Sequence, residues 1–125
     1  MKKIINTENA PKAIGPYSQA VLSGNTLYIS GQIPMDPSTG KLVEAEITIQ
    51  TEQVMKNIEA ILKEAGFSFE DVVKSTCLLS DMTNFAAMND VYGKYYSVNP
   101  PARAAFAVKE LPLSVLVEIE TIAVK

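Results

Sequence analysis

At 125 residues, with 47% hydrophobic and 20% charged side chains and a formal net charge of -3, the chain has the size and composition of one folded domain with one core. Its acidic balance and lack of a long Lys/Arg run make nucleic acid a poor default partner. The absence of histidine removes the commonest metal ligand, a Ser/His/Asp triad and a Cys/His nucleophile pair.

From the N-terminus, Lys2 to Asn6 reads as a short strand. Its flanking lysines are followed by only two consecutive apolar residues, so neither a signal peptide nor a membrane span is expected, and the cytoplasm is the natural compartment. Ile14, Gly15, Pro16 and Tyr17 form a stiff turn that holds the Tyr17 ring in a defined direction, either packing or walling a pocket. Ser18 to Leu22 and Thr26 to Ser30 read as two strands joined by Ser23, Gly24 and Asn25. Gly31, at the end of the second, marks a turn or bulge and also permits close approach to the backbone. PMDPSTG from Pro34 to Gly40 is an exposed loop by composition.

Over Thr48 to Ala65 the residues Val54, Ile58, Ile61, Leu62 and Ala65 fall on one helical stripe, with Gly66 as the stop. Glu52 to Lys56 and Glu59 to Lys63 are favourable pairs on its solvent side. Val72 to Ser80 reads as a buried strand, within which the lone Cys77 is expected to act as a small hydrophobe. Asn84 to Ser97 predicts a second helix capped by Thr83, with Phe85, Met88, Val91, Tyr92 and Tyr95 as core and Asn89 at the edge of that face. No glycine spacing suited to a phosphate loop occurs.

Pro100 and Pro101 precede a strand from Ala102 to Val108, with Arg103, Ala105 and Ala107 on one face. Lys109 to Ser114 has hairpin length, which predicts that the final run, Val115 to Val124, returns antiparallel beside it. Neither face of that last strand is cleanly polar, a pattern that implies helices on one side and another subunit on the other. Glu118 and Arg103 then read either as a structural ion pair or as a site, the arginine holding a small anion while the carboxylate moves protons. The order of elements, strands early and late with two helices between, is that of an α+β fold with both helices on one face of the sheet.

ENAPKAIGPYSQA, LYISGQIPMDPSTG, FAAMNDVY, PPARAAFAV and LPLSVLVEIETIAVK together resemble the RidA/YjgF family of reactive intermediate deaminases, nearly end to end. The resemblance implies that residues 1–125 form a single RidA-like domain. Its fold would be chorismate-mutase-like, a roughly six-stranded mixed sheet with two helices on one face, assembled as a homotrimer with sites in the clefts between subunits. It implies hydrolysis of enamines and imines released by pyridoxal-phosphate dehydratases, such as 2-aminoacrylate, 2-iminopropionate and 2-iminobutyrate. The products would be 2-oxo acids and ammonia, with no cofactor or metal needed.

By the same resemblance Arg103 binds the substrate carboxylate and Glu118 positions or activates water. Tyr17 walls the pocket from a neighbouring subunit, and Ser30, Gly31 and Asn89 line it. Many relatives carry cysteine where this chain has Ala105, so a thiol there is not required, and the Ala105 backbone N–H is left to contact the carboxylate. The same residues also suit a non-catalytic module that binds small carboxylates. A ribonuclease or translation inhibitor is the reading least suited to the acidic balance.

Overall fold

The computed structural model describes residues 1–125. Its strands are β1 (Lys2–Ile5), β2 (Ala20–Ser23), β3 (Thr26–Gln32), β4 (Met35–Asp36), β5 (Lys41–Leu42), β6 (Val72–Leu79), β7 (Ala102–Ala107) and β8 (Val117–Val124). Two helices, α1 (Ile47–Glu64) and α2 (Phe85–Tyr95), separate the early strands from the late ones. The segment from Pro34 to Gly40, expected as a plain loop, contributes β4 to a two-stranded hairpin with β5. No helix is long and apolar enough to cross a membrane.

Six strands form one mixed sheet in the order β1-β2-β3-β8-β6-β7. The expected β7–β8 hairpin does not occur: β7 pairs in parallel with β6, and β8 lies antiparallel between β3 and β6. The nine residues from Val108 to Leu116 therefore carry the chain past β6. Two strand spacings are only about 10 Å, well within the reach of such a segment. The crossing is tight, and both Leu113 (φ 55°) and Ser114 (φ 58°) adopt the left-handed conformation there.

Alternation assigns the faces of the sheet. Val117, Ile119, Thr121 and Ala123 of β8 are buried beneath the helices together with Leu27 and Ile29 of β3 and Ser75, Cys77 and Leu79 of β6. Glu118, Glu120 and Ile122 of β8 lie on the opposite face with Tyr28, Thr76, Leu78 and Phe106, where no helix covers them.

The first turns of α1 are rich in β-branched residues, each costing about 0.5 kcal/mol against alanine. Val54, Met55, Ile58, Ile61 and Leu62 are fully buried, at about 1.5–3 kcal/mol each, so packing outweighs propensity. The Glu46 side chain caps the helix by accepting from the Thr48 and Ile49 amides, and Gly66 (φ 80°) ends it as expected. Helix α2 is entered through a 3-10 turn, Met82–Asn84, whose cap is Asp81, not Thr83. Glu52 pairs across to α2 instead of along α1, with Lys94 Nζ at 3.5 Å and the Tyr95 hydroxyl donating at 2.8 Å. Two buried amides of α1 hold the sheet connections: Gln50 accepts from the Leu116 amide at 2.8 Å, fixing the entry to β8, and Asn57 donates to the Ile33 and Met35 carbonyls.

Candidate active site

One group of candidate residues gathers around the β2–β3–β8 part of the sheet. Gly15 adopts φ 130°, open to glycine, and the Tyr17 amide donates back to its carbonyl at 2.9 Å. Buried Gln19 ties down the preceding loop, accepting from the Thr7 amide and donating to the Thr7 and Pro11 carbonyls. The Ser30 hydroxyl donates to the Ser18 carbonyl at 2.6 Å, so Ser30 holds the segment before β2 that presents Tyr17. The Tyr17 ring, half exposed, lines a cavity of about 290 Å³ with Ile14, Gly31, Gln32 and Leu113.

Gly31 does not end β3. The strand continues to Gln32 through a register shift between Ile29 and Gln32, a bulge that sets Ser30 and Gly31 against Glu120. A Cβ on Gly31 would collide with Glu118 Oε2 and lie 2.9 Å from its Cδ, so glycine is what gives the Glu118 carboxylate its place. Burial pushes the Glu118 pKa above the ordinary value of 4.5, and the charge of Glu120 pushes the same way. A carboxylate whose pKa is raised in this way holds its proton more readily than a free one, which suits a group that both accepts and returns a proton. Because the obstructed atoms are the far end of a flexible side chain, Gly31→Ala is expected to change thermal stability by less than about 1 kcal/mol while displacing the carboxylate. Loss of at least about tenfold in kcat/KM with the melting midpoint held, by calorimetry alongside an activity assay, checks this.

The second group lies on the helix side of β7. Arg103, the only arginine in the chain, donates through Nη1 to Asn89 Oδ1 at 2.6 Å. Its Cζ lies 4.9 Å from the centre of the Tyr92 ring and 5.4 Å from that of Phe85. Phe85, Asn89 and Tyr92 are four and three residues apart on α2, so one stripe of the helix holds the guanidinium. Arg103 is nevertheless exposed, and a guanidinium has five N–H donors, so several stay available to an anion. Reading the stripe as core alone missed Phe85 and Tyr92; their spacing around Asn89 was the signal. Cys77 is the register partner of Ala105, and burial raises its thiol to about 11 against the lowering effect of Arg103, as suits a packing residue.

The family model described as Endoribonuclease L-PSP matches residues 7–125. A RutC family protein of Pyrococcus horikoshii is 57% identical over 125 residues, spanning 100% of this chain and 99% of its own. The 2-iminobutanoate/2-iminopropanoate deaminase of Capra hircus is 52% identical over 125 residues, 100% of this chain and 91% of its own. Among solved structures, a protein of the conserved Rid family from Yersinia pestis superposes with a TM-score of 0.98 at 48% identity, covering 100% of both chains. The chain belongs to the RidA family.

In this RidA-family chain the two groups do not meet. Arg103 pairs with Ser75 and lies on the helix side, whereas Glu118 pairs with Leu78 and lies on the open side. Two strand spacings and three residues along β6 separate their Cα atoms by roughly 14 Å, and their side chains leave opposite faces. The expectation that they occupy adjacent strands is therefore corrected, and an ion pair between them within one chain is ruled out by the same geometry. The candidate residues thus fall into two separate groups on the chain: Tyr17, Ser30, Gly31 and Glu118 in one, and Asn89, Arg103 and Ala105 in the other.

Proposed function

We propose that the chain is a hydrolytic deaminase of 2-imino acids and their enamine tautomers, acting on 2-aminoacrylate/2-iminopropanoate and 2-iminobutanoate. The observation that carries the reading is the sole arginine, clamped by Asn89 and two aromatic rings yet exposed, as a carboxylate-binding group needs to be. The deaminase name of relatives about half identical to this chain supports the reaction.

Water adds to the electrophilic imine carbon, and the resulting carbinolamine expels ammonia as its C–N bond breaks, leaving the 2-oxo acid. Arg103 orients the substrate through its carboxylate. Glu118 takes a proton from the attacking water and passes it to the imine nitrogen as the carbinolamine forms, then takes the carbinolamine hydroxyl proton and passes it to the nitrogen as ammonia leaves, a role suited to its raised pKa.

Because the two groups face apart, the reaction needs two copies, with Arg103 of one facing Glu118 of the next around a homotrimer. Apolar groups on the uncovered sheet face support this, with Tyr28 50%, Phe106 47% and Val124 42% exposed in the single chain. The products of a threonine dehydratase, followed with and without the purified protein, test the activity. Faster release of 2-oxobutanoate is expected, and an unchanged rate contradicts the reading.

A further inference from the structure

Beneath Arg103 the helix–sheet layer holds four hydroxyls that make no hydrogen bond of ordinary geometry: Ser75, Tyr92, Tyr96 and Thr121. All are more than nine-tenths buried, Tyr96 being the most exposed at 6%. They are neighbours. Ser75 and Thr121 are register partners across β6 and β8, the Tyr92 and Tyr96 ring centres are 4.6 Å apart, and Ser75 also pairs with Arg103 across β7. Ser75 lies near enough to both phenols to offset part of the upward push of burial on their pKa values.

Phenylalanine would serve packing alone at position 92. A tyrosine whose hydroxyl is turned into the protein, toward a cluster that has only its own members to pair with, has its ring rotation limited by that cluster. It is the face of this ring that lies under the guanidinium. We infer that Tyr92 is a positioning residue for Arg103: its ring sets the plane of the guanidinium, and Ser75 and the Tyr96 ring beneath set the Tyr92 ring. The inference rests on the deaminase reading only in giving Arg103 a carboxylate to bind.

Fluorination tests it, because pentafluorophenylalanine at position 92 keeps the shape of phenylalanine and reverses the ring quadrupole. Relative to Tyr92→Phe, the fluorinated protein is expected to bind 2-oxobutanoate about tenfold more weakly by calorimetry, and to raise KM about tenfold with kcat within about threefold. Tyr92→Phe keeps the ring face but frees it from the cluster, so it is expected to raise KM about threefold over the natural protein, and an unchanged KM overturns the claim that the groups beneath set the ring; Tyr92→Leu should match the fluorinated protein. Equal binding by the phenylalanine and fluorinated proteins overturns the inference, as does a fall in kcat at constant KM. An Arg103→Ala control separates the two claims. Binding unchanged in that variant overturns the carboxylate reading and this inference with it; binding lost there but indifferent to fluorination overturns this inference alone.

Discussion

Arg103→Ala is expected to lower kcat/KM for 2-imino acids by about 1,000-fold or more, since two charge-assisted hydrogen bonds at about 1.5–3 kcal/mol each are lost together. Arg103→Lys should recover little of this. A lysine ammonium is a point charge that cannot present the planar fork, reproduce the contact with Asn89 Oδ1 or stack on Tyr92 and Phe85. The fold should survive both changes, because Arg103 is exposed on the edge strand β7. Steady-state kinetics of the lysine variant decide the matter, and turnover equal to the natural protein's would refute the assigned role.

Glu118→Gln is expected to lower kcat by about 100- to 10,000-fold while leaving 2-oxo acid binding within about threefold, since glutamine keeps the shape and loses only the titrating proton. Stability should move the other way. The folded pKa lies above 4.5, so the folded chain binds this proton more tightly than the unfolded one, and stability falls as pH rises from the unfolded to the folded value. Below that window both states are protonated and the difference disappears. The glutamine variant is therefore expected to melt higher than the natural protein at about pH 7 and to match it at about pH 3, with the acid limb of kcat/KM abolished. Hydrolysis at the natural rate in this variant would leave a site that binds carboxylates without Glu118 chemistry.

Much of the fold was legible because period and punctuation report local structure. The stripe of Val54, Ile58, Ile61 and Leu62 ending at Gly66 places α1, and the alternation from Val117 to Ala123 assigns both faces of β8. Strand neighbours were not legible. Alternation tells which way a side chain points, not which strand lies beside it, and the six residues from Lys109 to Ser114 suit a hairpin, whereas the structure crosses over β6 with Val108 to Leu116. That difference matters for the site, since it moves Arg103 from beside Glu118 to the other side of the sheet. The aromatic support of Arg103 escaped for a different reason: Phe85 and Tyr92 share the period of the buried Met88 and Val91, and an apolar stripe looks the same whether it meets other apolar groups or a guanidinium. The sequence marks Gly31 as a place of close approach, but that the approaching group is the Glu118 carboxylate follows only from the register of β3 on β8.

The most direct test of a site shared between copies is to co-express the Arg103→Ala and Glu118→Gln chains, each inactive alone, and measure imine hydrolysis by the mixed oligomer. With equal, random incorporation and one residue drawn from each of two protomers, about a quarter of the sites regain both natural groups, so about a quarter of natural activity is predicted. Activity no greater than that of either variant alone, in oligomers verified to contain both chains, would contradict the account.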